Sequence, residues 1–161
     1  MPLTIGEALA VAISALGLSD SGAVDADVLL MHVLNVTRSY LHTFPEKRLT
    51  KAQEADFTSL IHRRKQGEPI AYLIGHREFW SIDLVVTPAV LIPRPETELL
   101  VEQVFNQVTE ERALIADLGT GSGAIALSLA HERPHWQLHA TDVSASALHV
   151  ARQNAKRLAF A

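Results

Sequence analysis

Residues Ile115 to Ala130 read Ile-Ala-Asp-Leu-Gly-Thr-Gly-Ser-Gly-Ala-Ile-Ala-Leu-Ser-Leu-Ala. An apolar strand-like run meets an acid, Asp117, passes through a Gly-x-Gly-x-Gly turn and continues as an apolar helix-forming segment. Gly119, Gly121 and Gly123 permit the tight turn and let a ligand approach the backbone, which a Cβ would prevent. The N–H groups that open the next helix then face that ligand, with the positive end of the helix dipole behind them. Strand, acid, glycine loop and helix in unbroken succession are the first parts of a nucleotide-type cofactor site, with Thr120 and Ser122 between the glycines. The spacing argues against a dinucleotide. That fingerprint is Gly-x-Gly-x-x-Gly, shaped for a pyrophosphate, and here the third glycine comes one residue early.

An acid followed by Gly-x-Gly-x-Gly resembles motif I of the class I S-adenosyl-L-methionine-dependent methyltransferases, whose cofactor has an amino-acid tail, a sulfonium and an adenosine in place of a pyrophosphate. A second acid fits the same pattern. Trp136-Gln-Leu-His-Ala-Thr-Asp142 alternates and ends in a carboxylate about 20 residues after the loop, where a ribose-binding acid closes the second strand of such folds. Asp142 could instead be an acid at a helix N-terminus, and the glycines a plain strand-to-helix turn.

The rest of the composition narrows the field. The 161 residues, 48% hydrophobic and 20% charged, make one ordinary domain or two small ones. A net charge of −4 argues against broad phosphate-backbone binding and leaves room only for a local basic patch, so no direct nucleic-acid binding is expected. There is no cysteine, hence no disulfide and no thiolate metal site, as in a cytoplasmic protein. No run approaches the ~18 apolar residues of a membrane span, and the start Met-Pro-Leu-Thr-Ile-Gly-Glu lacks a basic leader. A soluble, unexported protein is expected, with Asn35-Val36-Thr37 a chance sequon.

The first third is helical by period. Thr4 and Glu7 form a capping-box pattern, followed by Ile5, Ala8, Leu9, Ala12, Ile13 and Leu16 at helical spacing up to Gly17. A second helix is expected from about Ala23 to Leu34, and a short turn from Ser39 to Phe44. Thr50 and Gln53 cap a longer helix through Gln66, and Gly67-Glu68-Pro69 introduces a last short one to about Ile74. Residues 1–75 thus read as an α-helical bundle domain. From residue 76 the period changes. Glu78 to Val86 alternates loosely, Thr87-Pro88 interrupts, and Ala89 to Ile92 resumes, so a β-hairpin linker over 76–95 is expected with its turn at Thr87-Pro88. Pro95 suits the first position of a helix bearing Val101, Val104, Phe105 and Val108. Residues 96–161 then read as the start of an α/β Rossmann-like domain. Strand, helix, strand, helix is too little to cover both faces of a doubly wound sheet, so a fragment of a longer protein is expected.

Two motifs compete with these assignments. His131-Glu-Arg-Pro-His135 spells the His-Glu-x-x-His zinc pattern, but that chemistry needs both imidazoles on one face of a continuous helix. Pro134 forces Arg133 out of the helical region, so no metal site is expected. Arg63-Arg64-Lys65 sits in the last turn of its helix, where cations meet the negative dipole end; contact with a protein or RNA partner is the alternative.

Three segments together are more specific. Gly67-Glu-Pro-Ile-Ala-Tyr-Leu-Ile-Gly-His-Arg-Glu-Phe-Trp80, Leu91-Ile-Pro-Arg-Pro-Glu-Thr-Glu98 and Asp117-Leu-Gly-Thr-Gly-Ser-Gly-Ala-Ile-Ala126 resemble the peptide chain release factor N5-glutamine methyltransferases of the HemK/PrmC type. The likeness runs along the whole chain. It implies a helical domain that docks the release factor, a hairpin linker, and a class I methyltransferase domain that transfers a methyl group from S-adenosyl-L-methionine to the glutamine amide of a Gly-Gly-Gln loop. By position, Gly119, Thr120, Gly121, Ser122 and Gly123 would hold the methionine part of the cofactor and Asp142 the ribose. Asp117 and Thr97 would lie beside the same tail. The family's Asn-Pro-Pro-Tyr motif, which grips the substrate amide, does not occur in these residues, so no catalytic residue is assigned in this chain and the 161 residues alone are expected to be inactive. The alternatives are a methyltransferase of the same fold acting on a nucleic-acid base amine and, for the isolated chain, a non-catalytic module that binds a release factor.

Overall fold

A computed structural model describes residues 1–17 and 20–160. The chain divides into two compact units, Met1–Ile74 and Gly75–Ala161.

Helices α1 (Ile5–Leu16), α2 (Asp20–Leu34), α3 (Arg38–Thr43), α4 (Lys51–Lys65) and α5 (Ile70–Ile74) build the first unit. Both expected capping boxes form. The Thr4 hydroxyl accepts the Glu7 N–H at 3.2 Å while the Glu7 carboxylate accepts the Thr4 N–H at 2.8 Å, and Thr50 and Gln53 repeat the exchange on α4. Gly17 ends α1 with a φ of +93°, a value L-residues rarely adopt. The second helix begins at Asp20, earlier than the expected start near Ala23. Ile5, Ala8, Leu9 and Ala12 of α1 bury against Ala26, Leu29 and Leu30 of α2 and Phe57 and Ile61 of α4. Among the described residues, Asp27 is the buried acid of this unit. It accepts hydrogen bonds from Arg38 Nε at 2.8 Å and meets His42 Nε2 at 3.2 Å, partners that a buried carboxylate requires.

In the second unit, β1 (His76–Phe79) and β2 (Ile82–Val85) pair antiparallel, Phe79 opposite Ile82 and His76 opposite Val85. This corrects the expected hairpin: the turn is Trp80-Ser81, and Ala89 to Ile92 is not a strand. Trp80 and Ser81 have φ of 50° and 60°, the positive values that a two-residue hairpin turn with strand-matched twist demands. Such φ values cost non-glycine residues about 1 kcal/mol or more each. Packing and hydrogen bonding offset this at Trp80, whose N–H donates to Glu98 at 3.0 Å and whose indole N–H donates to Glu132 at 3.1 Å. At Thr87-Pro88 the chain makes a tight turn, closed by the Val90 N–H donating to the Thr87 carbonyl at 3.0 Å.

Pro95 opens a single 3-10 turn to Thr97 that runs into α6 (Glu98–Gln107). Strand β3 (Leu114–Leu118) then pairs parallel with β4 (Gln137–Thr141), and α7 (Ala124–Glu132) is the crossover between them. Helix α8 (Ala145–Arg157) follows. Phe79, Ile82 and Leu84 of the hairpin share one core with Val101, Leu127, Leu129 and Trp136, and the Trp80, Phe105 and Trp136 rings form a chain with 5.9 Å between successive centroids. Leu114 and Leu118 of β3 are largely exposed.

Candidate functional site

The loop Gly119–Gly123 leaves β3 and enters α7, and its three glycines have φ of +80°, +57° and +86°. Positive φ favours glycine at all three, and Gly123 carries a further constraint. At Gly119 and Gly121 no atom lies within 4 Å of where a Cβ would stand, so the constraint from the protein is φ alone, and the open space is a cradle that a ligand can enter. At Gly123 a Cβ would come to 2.9 Å from Leu127 Cδ1 of α7, so close loop-to-helix packing is a second constraint.

Three other groups shape the loop. The Gly119 and Thr120 N–H groups both donate to the Thr141 carbonyl at 2.9 Å, tying the loop to the end of β4. Thr120, buried, donates its hydroxyl hydrogen to Asp117 Oδ2 at 2.6 Å and so fixes the carboxylate at the end of β3. Asp142, just past β4, accepts the Gly121 N–H on Oδ2 at 2.9 Å and the Ser144 N–H on Oδ1 at 2.9 Å. The Ser144 N–H first, and the Gly121 N–H second, hold the Asp142 carboxyl below the usual aspartate range. Asp142 therefore does stabilise the entry to α8, although the capping residue itself is Ser144, whose hydroxyl accepts the Ala147 N–H at 3.2 Å. Each carboxylate oxygen has a lone pair to spare for a hydroxyl group. A cavity of about 400 Å³ beside the loop is lined by Gly123, Thr141, Asp142, Leu148 and Arg152, among others.

Asp117, Thr120, Gly121 and Asp142 are thus joined through one hydrogen-bonded loop, while Gly119 and Gly123 supply its turns. Thr97 stands apart: among the described residues no hydrogen bond joins it to the loop, and its side chain does not cap α6. Sequence reasoning missed Thr141, which acts through its carbonyl and so leaves no trace in residue type. It also missed Asn154, fully buried in α8, which donates to the Ser122 carbonyl at 2.9 Å. Asn154 had a signal, being a polar residue on the stripe Ala147, Val150, Ala151, Asn154 at helical spacing.

The competing motifs have structural work. Helix α7 ends at Glu132, so His131 and His135 do not share a helix; Glu132 binds Trp80, and the Arg133 guanidinium lies 4.8 Å over the Phe105 ring. Arg63 and Arg64 pair with Glu68 and Asp25. Among the described residues no helix is long and apolar enough to cross a membrane.

Residues 7–75 match the family model of the PrmC N-terminal domain, and residues 95–161 match that of the methyltransferase small domain. The release factor glutamine methyltransferase of Coxiella burnetii is 51% identical over 140 residues, covering 86% of this chain and 50% of that protein. Its Escherichia coli counterpart is 49% identical over 149 residues, covering 92% of this chain and 54% of that protein. The chain spans about half the length of the curated relatives it matches. Carrying a PrmC N-terminal domain followed by a methyltransferase small domain, and identical to those enzymes at about half of the aligned positions, the chain belongs to the release factor glutamine methyltransferase family.

Proposed function

We propose that the second unit binds S-adenosyl-L-methionine at the glycine loop, and that the protein, in its complete form, methylates the glutamine side-chain amide of peptide chain release factors. The observation that carries the cofactor reading is Asp142, drawn onto the loop by the Gly121 N–H at 2.9 Å with lone pairs left over for the two ribose hydroxyls. Ser122 and Gly123 lead into the first turn of α7, whose N–H groups lack intrahelical acceptors and suit the cofactor carboxylate. Asp117, held by Thr120 through one oxygen, offers the other to the cofactor ammonium. The open cradle at Gly119 and Gly121 fits a ligand that touches backbone. Thr97 is assigned beside the same tail on the family resemblance.

When bound, the cofactor supplies an electrophilic methyl group. An amide nitrogen is a poor nucleophile because its lone pair is delocalised into the carbonyl, so a site must hold it in line with that methyl. These 161 residues contain no Asn-Pro-Pro-Tyr, and we assign none of them to gripping the amide. The first unit is the proposed release-factor dock, 76–95 the connection, and the cytoplasm the setting.

Calorimetric titration with S-adenosyl-L-methionine tests the cofactor reading. Asp142→Ala is expected to weaken binding about tenfold or more, the factor that one charge-assisted hydrogen bond carries. Equal affinity of the two proteins would reduce Asp142 to its role at α8. Transfer of labelled methyl into a purified release factor by the complete protein tests the substrate; transfer into a nucleic acid instead would favour the base-amine reading.

A further inference from the structure

We propose that Asn154 is a positioning residue for the glycine loop, setting its donor geometry by bridging the loop to the hairpin. This rests on the reading of the loop as the cofactor site. Asn154 lies on the buried face of α8 with no exposed surface, a costly place for an amide unless all its polar atoms are paired. They are paired, and with backbone alone. The side-chain oxygen accepts the Val85 N–H at 2.7 Å, while the amide nitrogen donates to the Val85 carbonyl at 3.0 Å and to the Ser122 carbonyl at 2.9 Å. The two bonds to Val85 mimic a neighbouring strand at the end of β2. The third fixes the peptide plane between Ser122 and Gly123, just before the φ of +86° that turns the chain into α7.

The loop is therefore held from two sides. Asp142 grips the Gly121 N–H, and the proposed ribose contact uses the same carboxylate. Asn154 grips the Ser122 carbonyl from the core. Packing alone would be served by an apolar residue of similar size, and three bonds to main-chain atoms serve to fix backbone position. The consequence is a preorganised set of N–H donors at the start of α7, so that binding need not order the loop.

The test uses the 161-residue chain with Asn154→Ala and Asn154→Asp. The aspartate variant keeps the shape and, at neutral pH, sets a charged acceptor against two carbonyls. When protonated it regains one donor. Amide exchange at Gly121 and Gly123 is measured against Leu127 and Leu129 inside α7. We expect loop exchange in Asn154→Ala to rise about tenfold relative to the helix, the factor of one buried hydrogen bond, and S-adenosyl-L-methionine affinity to fall by a similar factor. In Asn154→Asp, loop protection relative to the unsubstituted chain should partly return between about pH 7.5 and about pH 5. Unchanged loop protection, loop and helix losing protection together, or unfolding of the whole unit in both variants would each overturn the proposal. If the unsubstituted chain binds no S-adenosyl-L-methionine, the cofactor reading fails and the exchange data still decide the role of Asn154.

Discussion

The Thr120 hydroxyl donates to the Asp117 carboxylate at 2.6 Å, joining the acid that ends β3 to the loop three residues on. Thr120 is buried, so Thr120→Val keeps the packing and removes only the donor. A hydrogen bond to a charged group contributes about 1.5 to 3 kcal/mol, and Thr120→Val should lose roughly that much stability while Thr120→Ser loses less. The measurement is selective, because Trp80 and Trp136, the two tryptophans of the chain, both belong to the second unit and report its unfolding in urea. Equal midpoints for the Val variant and the unsubstituted chain would mean that Asp117 is fixed by other groups.

Gly121 and Gly123 should respond differently to alanine. Both sit at positive φ, which costs an L-residue about 1 to 2 kcal/mol. Gly123→Ala adds the 2.9 Å approach to Leu127 Cδ1 and should be the less stable variant by tryptophan fluorescence. Gly121→Ala fills open space and should retain more stability, yet lose cofactor affinity because its methyl occupies the cradle. An affinity loss no larger in Gly121→Ala than its destabilisation explains would argue against the cradle.

The glycine loop, both capping boxes and the apolar stripe of α1 were legible because each is a local rule, written in residue types at fixed offsets along the chain. The hairpin was not. A turn of Trp80 and Ser81 lacks the Asn-Gly signal, and what holds it comes from Glu98 and Glu132, far along the chain. Pro88 gave a strong local turn signal, and there is indeed a turn, but no strand follows it. The acid at 142 was visible and its sharing between loop and α8 was not, since both acceptances depend on where β4 ends beside Gly121.

The first unit offers a check independent of the site. Thr50 caps α4 through its hydroxyl at 3.2 Å from the Gln53 N–H, and Thr50→Ala should cost about 0.5 to 2 kcal/mol. The loss should appear in tyrosine signals, because Tyr40 and Tyr72 lie in this unit, and leave the tryptophan transition in place. A shift of the tryptophan transition by the same amount would show the two units unfolding as one.

Acid should weaken the second unit first through two aspartates. Burial pushes Asp83 up, but hydrogen bonds from Arg157 at 2.7 Å and His76 at 2.8 Å outweigh it and leave the carboxyl below the ordinary aspartate value of 3.8. Asp142 is lowered by the Ser144 and Gly121 N–H groups. A carboxyl with a folded pKa below its unfolded one contributes stability that is fully present above the unfolded value and is lost as pH falls through the folded value. The unit should therefore hold its stability from neutrality to about pH 5 and decline below about pH 4. Asp83 is half exposed, so solvent screening keeps its share under about 1 kcal/mol. In Asp83→Asn combined with Asp142→Asn, stability at neutral pH should be lower and its fall between about pH 5 and about pH 3 shallower, since the groups that must be protonated are gone. Urea midpoints followed at the tryptophans across that range make the comparison, and a slope unchanged by both substitutions would place the acid sensitivity on other carboxylates.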